Sequence, residues 1–285
     1  MDAIENKTVL VTGASKGIGY EIARQLAQQG AHVVVHARTP QSGEDAIASM
    51  RKLHSNARLD LVVADVSTLA GTRQLAEQVL SITPQLHILV NNVGAMYSDF
   101  SSTADGIETT FAVNHLSIFL LTRLLLERMQ ASAPARIITI ASEVHRKATM
   151  HFDDLNLTDN YSVTAALAQS KLANILFTRA LAKRIDGTGV EAYSVHPGHV
   201  RTDFTRDLRG WFKIFVTIMR TRFLSPAEGA KTAVYLATTP SLANANGGYF
   251  DNCMPKQPSD HACDDSVAEQ LWEISKKMTR DINPI

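Results

Sequence analysis

Lys171 lies in the run Ala166–Asn174, and Leu167 stands four residues before it. On a helix, positions i and i+4 share a face, with their side chains about 5–6 Å apart. A tyrosine at 167 would set its phenol beside the ammonium group, and a nearby cation lowers a phenol from its usual pKa of ~10. Such a pair suits acid–base chemistry. Leu167 has no proton to give. Tyr161 lies ten residues before Lys171, about 280° round a helix, and is badly placed to substitute. His145 titrates near neutrality and is better placed in principle, or else it is a loop residue lining a pocket. Tyr97 and a water held by Lys171 are further alternatives.

A second chemical feature precedes this one. Thr12-Gly13-Ala14-Ser15-Lys16-Gly17-Ile18-Gly19 follows an apolar run and opens a helical pattern. Glycines there allow a tight turn, close approach to a pyrophosphate and close helix–strand packing, while the helix amides face the phosphates. The order predicts a dinucleotide site. The next strand ends His36-Ala37-Arg38-Thr39 without an acid. An acidic residue there would bind the ribose hydroxyls and repel a 2′-phosphate. Arg38, with its planar fork, and Lys16 favour that phosphate, so NADP(H) is the expected cofactor.

Further motifs follow in order: Asp65-Val66, Asn91-Asn92-Val93-Gly94, Asn114, Ser142, Ser170-Lys171 and His196-Pro197-Gly198-His199-Val200-Arg201-Thr202. With the Gly-x-x-x-Gly-x-Gly spacing, they resemble the short-chain dehydrogenase/reductase family over nearly the whole chain. Gly248–Cys253 and Leu271-Trp272-Glu273 are similar to its retinol-dehydrogenase-like branch. The resemblance implies a cofactor site of Gly13, Ser15, Lys16, Gly17, Ile18, Gly19, Arg38, Asp65, Val66, Asn92, Val93, Gly94, Lys171, Pro197, Gly198, Val200 and Thr202. It implies that Ser142 holds the substrate oxygen, that Lys171 bonds the nicotinamide ribose, and that Asn114 supports a water relay to Lys171. Val93 is a mild departure from the family's Asn-Asn-Ala-Gly. Leu167 is the large one, since the family carries its acid–base Tyr there. Read without the resemblance, Ser142 could be a strand-end cap, Lys171 a surface lysine and Asn114 a buried group bonded to backbone.

Leu167 therefore has three readings: a disabled reductase, a member using another donor, or a scaffold kept for non-redox work. The leading expectation is an NADP(H)-dependent oxidoreductase of a lipophilic carbonyl or alcohol, or of an activated alkene. The alternative is a cofactor-binding pseudoenzyme or a cyclase or isomerase on the same scaffold. Met96, Tyr97, His145, His199 and Trp211 are the expected pocket residues, with Met150 a further pocket-wall candidate. Residues 204–224 alternate aromatic, aliphatic and basic residues and suit a substrate lid, a helix packed on its own domain, or a membrane-surface contact.

These groups need a frame. Apolar runs Thr8–Val11, His32–His36, Leu59–Ala64, His87–Asn91, Arg136–Ile140 and Val190–Val195 read as strands covered on both faces. Helical patterns lie between or after them at Gly17–Gln29, Gln41–Leu53, Leu69–Ser81, Gly106–Gln130, Val163–Ile185 and Pro226–Ala237. The alternation predicts an α/β, Rossmann-type doubly wound parallel sheet with helices on both faces. We expect one domain over residues 1–285, with an insertion at about 198–224. Lys+Arg and Asp+Glu both number 28, so no global field draws nucleic acid or anionic membrane. Two cysteines form no disulfide framework or metal spacing, no long apolar run reads as a membrane span, and cytoplasmic residence is expected. A homodimer or homotetramer is implied only by the resemblance.

Overall fold

The computed structural model describes residues 4–200, 223–242 and 245–280. Eight strands form one sheet in the order β3-β2-β1-β4-β5-β6-β7-β8. They are β1 (Thr8–Val11), β2 (His32–Ala37), β3 (Arg58–Val63), β4 (Ile88–Asn91), β5 (Ala135–Ile140), β6 (Val190–His196), β7 (Tyr249–Asp251) and β8 (Met254–Pro255). All pairings are parallel except β7 with β8. The order reverses between β1 and β4, which opens a crevice at their carboxyl ends where such sheets bind ligands.

Strand residues alternate between two cores. Leu10, Val34, Leu89 and Ile137 face one side. Val9, Val11, Val33, Val35, Ile88, Val90 and Ile138 face the other. The second side is covered by α1 (Gly17–Gln28), α2 (Pro40–Leu53) and α7 (Pro226–Thr238), and the first by α3 (Leu69–Ile82), α5 (Ser117–Ala131) and α6 (Val163–Arg184). The predicted strands and most helices match these elements closely.

One predicted helix is different. Gly106–Gln130 is not continuous: Gly106 has φ +76°, and the Glu108 carboxylate caps a short turn, α4 (Thr109–Phe111), by accepting from Thr110 and Phe111 N–H. A π-turn follows at Ala112–Leu116 before α5 begins. Asn114 sits in the middle of that turn, a kind of insertion that often marks functional positions. The stretch Thr109–Ala131 is also long and apolar enough to span a membrane by composition, but 89% of its most apolar 18-residue window is buried here, as in a core helix.

The C-terminal elements had no predicted counterparts. β7 and β8 are joined by Asn252 and Cys253, both at positive φ, as a two-residue type I′ hairpin turn requires. A short helix, α8 (Asp260–Cys263), leads to α9 (Asp265–Thr279), which lies along α6. Trp272 of α9 is buried, stacked with Phe177 and edge-on to Phe119, and the Arg184 guanidinium lies 4.1 Å from its ring centre. The outer face of α6 is thereby covered by the chain's own C-terminal helix.

Candidate active site

The glycine-rich turn is built around Thr12 and Asn92. Thr12 Oγ1 donates to Val90 O at 3.2 Å and accepts from Asn92 N–H at 2.9 Å and Val93 N–H at 3.1 Å. Asn92 Nδ2 returns a bond to Thr12 O at 2.8 Å. These bonds hold the β1 and β4 loops edge to edge. Gly13 and Gly17 take φ of +64° and +61°. A Cβ on Gly19 would stand 2.4 Å from both Asn92 Nδ2 and Gly13 O, so only glycine fits there.

Side-chain oxygens cap α2, α3, α6, α7 and α9, from Thr39, Thr68, Ser162, Ser225 and Asp264. Helix α1 has no such cap, because Lys16 offers no acceptor. Its leading amides suit an external anion. Arg38 and Lys16 are exposed, as is Asp65, whose carboxylate accepts Ser67 N–H at 3.0 Å. Val66 is buried beside it, Ser15 and Ile18 are partly buried at the α1 entrance, and Gly94 continues the β4 loop. A glycine-lined backbone cradle and a helix start with no side-chain cap fit the pyrophosphate of a nicotinamide dinucleotide.

Lys171 is buried on α6, and its Nζ donates to Ile140 O at 3.0 Å. Burial lowers its pKa from 10.5 to about 8. Ile140 ends β5 two residues before Ser142, so the lysine and serine share one end of the strand. Ser142 is partly buried and caps the turn Glu143–Lys147 by accepting from Val144 N–H at 3.3 Å. Its hydroxyl hydrogen remains to donate. Leu167 is partly buried one turn before Lys171.

Asn114 is fully buried. Its Oδ1 accepts from Ala95 N–H at 2.7 Å, while Nδ2 donates to Ala95 O at 3.0 Å and Ser170 Oγ at 3.1 Å. All its side-chain hydrogens are engaged. It ties the loop after Gly94 to α6 beside Lys171.

His145 is committed to internal bonds. It is fully buried; its Nδ1 bonds Ser142 O at 2.6 Å and its Nε2 accepts from Ser259 N–H at 3.1 Å. The second bond requires an unprotonated Nε2, so Nδ1 carries the hydrogen and gives it to Ser142 O. Burial lowers its pKa below the usual 6.5. His145 is a clamp on Ser142, held from the C-terminal segment. Tyr161 is likewise occupied: its hydroxyl donates to Tyr97 O at 2.7 Å, and burial raises its pKa. Met96 is buried, whereas Tyr97 is partly exposed on the loop after β4.

On the nicotinamide side, Pro197 and Gly198 follow β6, with Gly198 at φ +81°. Val200 pairs with Leu224 in a parallel bridge, and Leu224 N–H donates to His199 O at 2.7 Å. His199 stacks on Phe223. Thr202, Trp211 and most of the expected lid lie outside the described residues.

Sequence reasoning missed an ion cluster behind Ser142. Burial would raise the Glu143 carboxyl, but bonds from Tyr249, Arg146 and Lys256 outweigh it and hold the pKa at about 2. Lys256 also pairs with Asp251 at 2.8 Å. The only signal in sequence was the similarity of Gly248–Cys253 to a family branch, which says nothing of these partners.

The short chain dehydrogenase family matches residues 7–212. Retinol dehydrogenase 12 of Mus musculus is 42% identical over 275 residues, covering 95% of this chain and 86% of the relative. Retinol dehydrogenase 14 of Homo sapiens is 37% identical over 291 residues, covering 96% and 87%. A crystal structure of an uncharacterized protein from Mycobacterium paratuberculosis superposes with a TM-score of 0.80 at 28% identity, covering 99% of this chain and 97% of that one. The Pseudomonas aeruginosa RhlG/NADP active-site complex does so with a TM-score of 0.70 at 28% identity, covering 87% and 95%. With this sheet order and glycine turn, and with Ser142 and Lys171 at one end of β5, the chain belongs to the short-chain dehydrogenase family of oxidoreductases, in its retinol-dehydrogenase-like branch.

Proposed function

We propose that this protein is an NADP(H)-dependent oxidoreductase of lipophilic carbonyls or alcohols whose turnover is slowed by Leu167. The observation that carries this reading is the glycine cradle after β1 together with Lys171 bonded at the end of β5, and Arg38 exposed just past β2. The names of the curated relatives support an alcohol or carbonyl of retinol type, and NADP in the RhlG complex supports the cofactor. A bound nicotinamide supplies or accepts the hydride.

The chain's own residues have the remaining tasks. Ser142 donates its hydroxyl hydrogen to the substrate oxygen and orients it. Lys171, as an ammonium, bonds the ribose and polarises a water that delivers the proton Leu167 lacks. Loss of a positioned acid costs about 10²–10⁴-fold, which slows reduction without abolishing it.

A second reading, a cofactor-binding protein without redox turnover, is favoured by one observation. His145 and Tyr161 are both committed to internal bonds, and neither offers a proton beside Lys171. The test is NADPH titration by fluorescence, followed by NADPH oxidation with a panel of aldehydes, quinones and enones. The proposal expects binding and slow oxidation with at least one class. Binding without oxidation selects the second reading, and absence of binding overturns both.

A further inference from the structure

His36 is the penultimate residue of β2 and is 2% exposed. Its Nδ1 accepts the main-chain N–H of Gly13 at 3.1 Å. Its Nε2 bonds Ala64 O at 3.1 Å, and its own carbonyl accepts from Ala14 N–H at 2.9 Å. Because Gly13 N–H needs an acceptor, Nδ1 is bare and Nε2 carries the hydrogen that Ala64 O receives. Burial lowers the pKa of this imidazole, which favours the neutral form both bonds require.

Gly13 is the first glycine of the phosphate turn and has φ +64°. Ala64 immediately precedes Asp65. One imidazole therefore joins three segments around the expected adenosine half: the turn after β1, the end of β2 carrying Arg38, and the end of β3. A buried N–H without a partner is costly, so Gly13 turns as it does because His36 receives it.

We infer that His36 is a positioning residue for the cofactor: its Nδ1 fixes the Gly13 turn in the shape that receives the pyrophosphate. This rests on the proposed binding of NADP(H). His36 acts on the part of the site common to both dinucleotides, whereas Arg38 serves only the 2′-phosphate. Its effect is accordingly the same for NADPH and NADH.

The experiment titrates wild type, His36→Ala, His36→Asn and His36→Gln with NADPH and NADH by fluorescence, alongside the melting temperature of each cofactor-free protein. An asparagine amide oxygen falls near the position of Nδ1, and a glutamine amide nitrogen near that of Nε2. We expect His36→Ala to weaken both cofactors about tenfold, the worth of one strong hydrogen bond. His36→Asn retains wild-type affinity within about threefold, while His36→Gln behaves like the alanine variant. Equal affinities for the asparagine and glutamine variants overturn the proposal, as does a loss confined to NADPH. If His36→Ala does not fold, the asparagine–glutamine comparison decides. If wild type itself binds neither cofactor, the proposed function fails, an outcome distinct from wild-type binding that His36 substitutions leave unchanged.

Discussion

Lys171 Nζ and Asn174 Nδ2 meet on one acceptor, the carbonyl of Ile140, at 3.0 and 3.3 Å. A main-chain oxygen at the end of β5 thus carries an ammonium within two residues of Ser142. The dipole of a carbonyl compensates burial less than a carboxylate would, and the pKa of Lys171 falls to about 8.

This sets a pH dependence. Any turnover that needs the ammonium declines above about pH 8, and Lys171→Arg, which stays charged, moves that limb upward. Stability changes in the opposite sense. Between about pH 8 and 10.5 the unfolded chain keeps a proton on Lys171 that the folded chain has lost. The unfolded state binds more protons there, so the Lys171 contribution to stability rises with pH. Lys171→Met removes that contribution. Urea unfolding at pH 7, 9 and 10.5 is expected to show its stability advantage over wild type shrinking as pH rises. A constant difference would count against a depressed pKa.

Leu167→Tyr restores a phenol one turn before Lys171. We expect carbonyl reduction to rise ~10²-fold or more, within the worth of general acid catalysis, with NADPH affinity unchanged. Steady-state rates over the same carbonyl panel check this. A variant that binds NADPH yet stays inert towards every carbonyl would overturn the account of a reductase lacking its acid.

Arg38→Ala is expected to lose at least tenfold in NADPH affinity, since a charge-assisted contact is worth ~1.5–3 kcal/mol. NADH affinity should stay the same. Paired titrations distinguish this from general damage to the site, which would weaken both.

Gly19→Ala places a carbon 2.4 Å from Asn92 Nδ2 and Gly13 O. The neighbours that must yield include backbone, so we expect a stability loss of ~1–3 kcal/mol and loss of cofactor binding. Thermal melts and a titration report both. A variant with wild-type affinity would mean that the turn can open without consequence.

The phosphate turn was readable because it is local: strand, glycines and helix fall within twelve residues of chain, from Thr8 to Gly19. The strands β1, β2, β4, β5 and β6 were readable because burial on both faces leaves continuous apolar runs, and the edge strand β3 was readable from its shorter apolar run at Leu61–Val63. Periodicity could not reveal the π-turn around Asn114, since one extra residue per turn barely shifts the apolar pattern. β7 and β8 are too short to stand out. The roles of His36 and His145 were hidden for another reason. His36 depends on Gly13, 23 residues away, and His145 on Ser259, 114 residues away. A lone histidine in sequence gives no sign of such partners.

The bridge between Val200 and Leu224 has a consequence for how this scaffold can diversify. The two flanks of the stretch 201–222 are paired with each other, beside Gly198 and ahead of the capping box at Ser225. Doubling the length of such an excursion costs only about 0.6 kcal/mol in closure entropy. A longer or shorter connection between Val200 and Leu224 would therefore cost the described frame little, because both of its ends are held by the bridge.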